Sequence, residues 1–246
     1  MMRLKSSHRL LCGDSTNPEH VGRVLNSETP LLMVTDPPYG VEYDAEWREQ
    51  AGATRFGGSR TGKVTSDDKA DWTEVWQLSN AQVAYIWHAS AFTDVVMKSL
   101  RDADYDCRQQ IIWNKTIMVL SRSAYHWKHE PCIYAVKKGK DANWVGDRKQ
   151  VTVWDIAPPN HIMSGSKEDR TPHPTQKPTA VYEKPIENHT VVGDLLYEPF
   201  AGSGTAIIAA QKTGRRCYAV EIDPVYASII VDRWERFTGR AALKEG

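Results

Sequence analysis

Neither sign of charge is in surplus: 31 Lys and Arg balance 31 Asp and Glu in 246 residues. Net charge therefore points to no nucleic-acid partner, and a basic surface would have to arise from where the charges sit. Cysteine is scarce. Cys12, Cys107, Cys132 and Cys217 form no CxxC pair, so neither a zinc ribbon nor a disulfide framework is indicated, and a reducing cytoplasm is the expected setting. No apolar run approaches the length of a membrane span. The segment around Arg3 and Lys5 lacks the apolar stretch of a signal peptide. Internal repeats and low-complexity tracts are also missing.

What is present is ordinary for a globular protein: 41% apolar and 25% charged residues. The length suits a single large α/β domain over residues 1–246. Short apolar runs at 9–12, 31–35, 83–87, 110–113, 132–136, 195–197 and 216–220 predict strands. Helices are predicted over 18–25, 93–101, 179–188, 205–212 and from Pro224 to about residue 237, with Pro224 suited to a first helical turn. This alternation predicts a doubly wound, mainly parallel sheet covered on both faces. Two polar, Gly- and Pro-broken segments, 43–71 and 139–172, interrupt it. The first is long for a structureless connection, which predicts a mobile loop with a function.

The sharpest ligand signal is Phe200-Ala201-Gly202-Ser203-Gly204-Thr205, after a strand and before a helix. Glycines there allow close backbone approach, and the helix start offers free N–H groups. Glu221 follows Thr205 by sixteen residues, at the next strand end, with Asp223 beyond it. A carboxylate so placed can accept both hydroxyls of a ribose. The pattern fits a nucleoside cofactor and by itself does not separate S-adenosylmethionine from NAD. The bland alternative is a structural turn followed by an exposed acid.

Asp36-Pro37-Pro38-Tyr39 closes the run 31–35. An exocyclic base amine is a weak nucleophile, because its lone pair is delocalised into the ring. Asp36 can accept one amine hydrogen bond, and the Pro37 carbonyl, exposed by the rigid turn with Pro38, can accept the other. The lone pair then becomes available to a sulfonium methyl, while Tyr39 offers a flat surface for a base turned out of the duplex. The alternative is an Asx-type turn closed by prolines.

Together with His173-Pro174-Thr175-Gln176-Lys177-Pro178, these motifs resemble, over nearly the whole chain, the β-group of amino-DNA methyltransferases. The resemblance implies a Rossmann-like, S-adenosylmethionine-dependent methyltransferase fold, circularly permuted so that the catalytic turn precedes the cofactor turn. It implies cofactor contacts from Asp14, His173, Thr175, Lys177, Phe200, Ala201, Gly202, Ser203, Gly204, Thr205, Glu221 and Asp223, with Lys177 toward the methionine carboxylate. Asp36, Pro37, Pro38 and Tyr39 would be catalytic, with no metal. The implied substrate is double-stranded DNA at a specific sequence, in a prokaryotic or phage setting, and a homodimer is an option. Asp rather than Ser at position 36 favours N6 of adenine over N4 of cytosine within the family. Cytosine N4 stays open, as does an inert DNA-binding relic. The permuted order speaks against RNA or protein amides as substrates.

Other signals are weaker. Residues 108–149 carry nine Lys/Arg against three acids, a balance of +6, with Trp113, Tyr125, Trp127, Tyr134 and Trp144 interleaved. That suits a phosphate backbone and stacked bases, or a solvated face over core aromatics. Lys137 and Lys138 are candidate backbone contacts, and the family resemblance implies that 139–172 is a short candidate target-recognition insertion. Cys132 lies within a predicted strand, so it reads as a core residue and not as the nucleophile of a carbon methylation. His126, His129 and Glu130 lack metal-ligand spacing, and the family resemblance implies that they are strand-start or DNA-side residues. His88 either lines the site or is a satisfied structural histidine.

Overall fold

The computed structural model describes residues 2–4, 8–40, 69–119, 124–159 and 176–245. In chain order the strands are β1 (Met2–Leu4), β2 (His8–Cys12), β3 (Leu32–Thr35), β4 (Val83–Trp87), β5 (Tyr105–Val119), β6 (Trp127–Lys137), β7 (Val153–Asp155), β8 (Leu195–Glu198), β9 (Arg216–Glu221) and β10 (Ala242–Lys244). The helices are α1 (Pro18–Leu25), α2 (Thr73–Ser79), α3 (Thr93–Asp102), α4 (Ala180–His189), α5 (Thr205–Thr213) and α6 (Pro224–Thr238). The strands form one sheet in the order β10-β1-β2-β9-β8-β3-β4-β6-β5-β7. From β2 to β4 every neighbour is parallel, whereas β6 runs antiparallel to both β4 and β5.

Alternation along each strand divides the core into two layers. Leu32 and Val34, with Val83, Tyr85 and Trp87, face a cluster built with Ile186 of α4, Ile207 of α5 and Trp234 of α6. Met33, Ala84 and Ile86 face the opposite cluster, with Val24 of α1, Trp76 of α2 and Leu100 of α3. All residues of β3, β4 and β8 are buried, as expected for parallel strands covered on both sides. Each fully buried large side chain contributes about 1.5–3 kcal/mol. Cys132 belongs to this core, with its side chain buried inside β6.

The ends of the helices are encoded locally. Asn17 accepts a hydrogen bond from the Glu19 amide at 2.9 Å, Pro18 follows it, and Asn26 closes α1 in the left-handed region. Asp223 does the same for α6, accepting from the amide of Val225 at 2.7 Å. The predicted strands and helices are all present. β5 and β6 extend well beyond 110–113 and 132–136 as a long antiparallel pair with register shifts. Within 139–172 the structure adds β7, whose Trp154 is buried in the core. α2 begins just past the predicted loop, where Asp71 accepts from the Thr73 amide and hydroxyl. Residues 41–68, which take in most of that loop, and residues 160–175 lie outside the described residues.

Candidate active site

In the sheet, β8 leads through α5 to β9 on one side, while β3 leads to β4 on the other. The strand order therefore reverses between β8 and β3. The crevice beyond the carboxyl ends of such a pair is where open α/β sheets bind ligands. Both chemical motifs sit there: Phe200–Thr205 follows β8, and Asp36–Tyr39 follows β3.

On the β8 side the chain makes a tight turn. The Ala201 amide donates to the Val220 carbonyl at 2.9 Å, and the Gly204 amide to the Ala201 carbonyl at 2.7 Å. Gly204 has φ +76°, and a Cβ there would come within 2.9 Å of Ile230 Cγ2, so both conformation and space require glycine. Glu221, at the end of β9, accepts from the Gly202 amide at 2.7 Å and from the Asp223 amide at 3.0 Å, one bond per carboxylate oxygen. The carboxylate is thereby fixed in place with lone pairs to spare. Burial raises its pKa, against the opposing pull of the backbone amides. Cys12 lies opposite Glu221 in register, and the Gly13 amide donates to the Glu221 carbonyl. Asp14 therefore sits beside Glu221, its Oδ1 accepting from the amide and hydroxyl of Thr16. Ser203 and Thr205 are buried, and the Arg233 guanidinium holds them from beneath by donating to the Ser203 carbonyl at 2.8 Å and to Thr205 Oγ1 at 3.2 Å.

An anchored carboxylate, a glycine turn that a Cβ would block and a helix start fit a nucleoside cofactor. His173 and Thr175 lie outside the described residues. Asp223 caps α6 with its side chain.

On the β3 side, Asp36 and Tyr39 meet charged partners from distant parts of the chain. The Tyr39 hydroxyl donates to Asp36 Oδ1 at 2.6 Å. Lys177 Nζ lies 2.5 Å from Asp36 Oδ2, 2.9 Å from Glu130 Oε2 and 2.8 Å from the Tyr39 hydroxyl. Lys115 of β5 closes the group by pairing with Glu130 Oε1. The ammonium of Lys177, expected to face the methionine carboxylate, is engaged here by Asp36 and Glu130. Its side chain is 4% exposed, against 18% for Asp36 and 22% for Glu130.

Burial alone would push both carboxyls up. For Glu130 it is overcome by the Lys177 and Lys115 ammoniums, which hold it down at about 2. For Asp36 burial prevails, with Glu130 adding to it and Lys177 opposing. Lys177 is raised because its two carboxylates outweigh its burial.

Two residues missed by sequence reasoning tie the halves together. Trp72 packs edge-on against Phe200, ring centroids 4.8 Å apart, while its Nε1 donates to the Pro38 carbonyl at 3.2 Å. Glu198, buried at the end of β8, accepts from the Thr35 hydroxyl of β3 and from the Phe200 amide. A tryptophan at the edge of a polar stretch was the available signal for Trp72. Glu130 stood out only beside His126 and His129, and its pairing with Lys177 and Lys115 could not be read because those partners are remote in sequence. His88 is satisfied by the Ile86 carbonyl and Thr93, the structural alternative. Of the interleaved aromatics, Trp113 and Tyr134 are buried, whereas Tyr125, Trp127 and Trp144 are exposed. The Lys137 ammonium donates to the Ala103 carbonyl at 2.8 Å, so it faces the protein and not a phosphate. No group of metal-ligating side chains occurs among the described residues, and none of their helices is long and apolar enough to cross a membrane.

Residues 31–232, which span both halves of this crevice, match the family model described as DNA methylase, covering N6 and N4 amino-methylases. The chain belongs to the N6/N4 DNA methylase family. The family's cofactor is S-adenosylmethionine. The methylase is 27% identical to the type II methyltransferase M.ScaI of Streptomyces caespitosus over 241 residues, 83% of this chain and 74% of that one. Its fold is shared with M1.HpyAVI solved in complex with SAM, at a TM-score of 0.65 and 19% identity, covering 92% of this chain and 98% of that one. The cytosine-N4-specific PvuII DNA methyltransferase is as close in fold, at a TM-score of 0.63 and 15% identity, covering 94% and 89%.

Proposed function

We propose that this methylase transfers a methyl group from S-adenosylmethionine to N6 of adenine in double-stranded DNA at a specific sequence. The reading is carried by the meeting of two sites at one crevice: the anchored Glu221 with its glycine turn after β8, and Asp36–Tyr39 after β3. The bound cofactor would supply an electrophilic methyl carried on a sulfonium. Glu221 and Asp14 would hold its nucleoside, and the turn from Phe200 to Thr205 would line its path.

The target base turns out of the duplex to reach Asp36. Asp36 accepts one hydrogen of the amine and the Pro37 carbonyl the other, which draws the nitrogen toward a tetrahedral shape. Its lone pair would then be free to accept the methyl that the cofactor supplies, the electron pair of the carbon–sulfur bond staying on the sulfur as a neutral thioether. The positive charge on the nitrogen would be relieved by passing one of its protons to Asp36, which already accepts its hydrogen bond. The Tyr39 ring would offer the flat face on which the base stacks. No covalent activation of the ring is needed, and Cys132, whose thiol burial pushes well above its ordinary range, is not available for it.

The choice of adenine rests on Asp36, since Asp at this position goes with adenine amines in the resembling family. Mass spectrometry of nucleosides from DNA methylated by the purified protein tests it. N6-methyladenine is the expected product. N4-methylcytosine alone would overturn the adenine assignment and keep the mechanism, and C5-methylcytosine would overturn both.

A further inference from the structure

The acidic residue on β6 is not part of either recognisable motif, yet it shares a cation with Asp36. Lys177 Nζ lies between Asp36 at 2.5 Å and Glu130 at 2.9 Å, and Lys115 occupies the other oxygen of Glu130. Two carboxylates and two ammoniums make a neutral group in a site that is mostly closed to water. We propose that Glu130 is a positioning residue that balances Lys177, leaving Asp36 able to accept the target amine. This rests on the reading of Asp36 as the amine's acceptor.

The physical need comes from the sign of the reaction. Positive charge develops on the amine nitrogen, next to Asp36. An unbalanced Lys177 ammonium would bind Asp36 as its sole carboxylate and would repel that charge in a medium of low polarity. With Glu130 present the ammonium has a second carboxylate. Lysine's flexible stem and three rotatable donors let it stay on Glu130 when the amine arrives at Asp36. Lys115 in turn keeps Glu130 ionised.

The other titratable groups around Asp36 are Tyr39 on its own turn, Tyr182 on α4, Cys132 on β6 and Glu198 at the end of β8. His88, just after β4, is bonded to the Ile86 carbonyl and Thr93 and feels the charges of Lys177 and Glu130. Apart from Asp36 itself, Glu130 is the anion paired with the shared lysine, so its removal has a defined sign. Losing an anion beside Asp36 lowers the Asp36 pKa, and losing the Lys115 cation raises it.

The test measures single-turnover methylation of cognate DNA against pH, with cofactor affinity by calorimetry, for Glu130→Gln, Glu130→Asp, Lys115→Met, the double variant Glu130→Gln/Lys115→Met and Asp36→Ala. Glu130→Gln should slow methyl transfer by about tenfold or more, the scale of one lost charged hydrogen bond, with cofactor affinity unchanged. Its acid limb should move to lower pH. Glu130→Asp should recover part of the rate, and so should the double variant, which restores neutrality. An unmoved acid limb together with a double variant no faster than Glu130→Gln would make Glu130 a packing residue and overturn the proposal. If Glu130→Gln does not fold, Lys115→Met must move the limb to higher pH, and an unmoved limb there overturns it equally. Asp36→Ala separates the two levels, because it removes the acceptor outright. Full activity in that variant overturns the role of Asp36 itself. An inactive Asp36→Ala beside an unshifted Glu130→Gln overturns the role of Glu130 alone.

Discussion

Replacing Glu221 by Ala removes a carboxylate that the fold has fixed in advance. Its two oxygens are held by the Gly202 and Asp223 amides at 2.7 and 3.0 Å, and the residue is 7% exposed. Little side-chain entropy is therefore left to lose when a ribose binds, so most of the interaction energy appears as affinity. A hydrogen bond to a charged group contributes about 1.5–3 kcal/mol, which converts to a loss of roughly tenfold to a hundredfold in S-adenosylmethionine affinity. The same substitution leaves the Gly202 amide without its acceptor, at a cost of about 1–3 kcal/mol in stability. Calorimetric titration gives the first quantity and thermal unfolding the second. Affinity should also weaken on acidification at higher pH than for an ordinary glutamate, because burial raises this carboxyl and protonation removes an acceptor. Unchanged affinity in a folded Glu221→Ala protein would refute the assignment, whatever happens to its stability.

Asp36→Ala should cut single-turnover methylation by at least ~10²-fold, as for loss of one preorganised polar group, while leaving cofactor affinity near that of the wild type. A near-normal rate would mean that the proline turn is only structural. Lys128→Ala, an exposed change on β6, should weaken binding to all DNA sequences alike and lower the salt slope by about one unit. Identical slopes would mean that this face is merely solvated. Glu198 concerns stability. Burial, more than its two hydrogen bonds, sets its carboxyl well above the ordinary range. A raised folded-state pKa contributes stability at low pH that is lost as pH rises from the unfolded value toward the folded one. Thermal unfolding against pH should show that decline, and Glu198→Gln should flatten it. An unaltered pH profile in Glu198→Gln would refute the reasoning.

Local order was legible in the chain. Buried strands such as β3 and β4 are short apolar runs closed by turn residues, and α1 and α6 announce themselves by Asn17-Pro18 and Asp223-Pro224. Such features depend on a few adjacent side chains and their backbone. The two chemical motifs were legible for the same reason, since a glycine turn and a proline turn are written in consecutive residues. The edge strand β7 was not, because three residues gain their place only by pairing with β5. Lys137 looked like a phosphate contact and is instead turned onto the Ala103 carbonyl, a partner that only packing could supply.

The sequence by itself determined the alternation of strands and helices and offered the candidate groups for a nucleoside and an amine. The tertiary structure decided which groups share a site. The reversal of strand order between β8 and β3 brings residues near position 36 and near position 200 to one crevice. The β5–β6 pair and the segment before α4 then deliver Lys115, Glu130 and Lys177 to Asp36. Charge acts through space, so the protonation of Asp36 depends on neighbours that no local pattern in the chain could reveal.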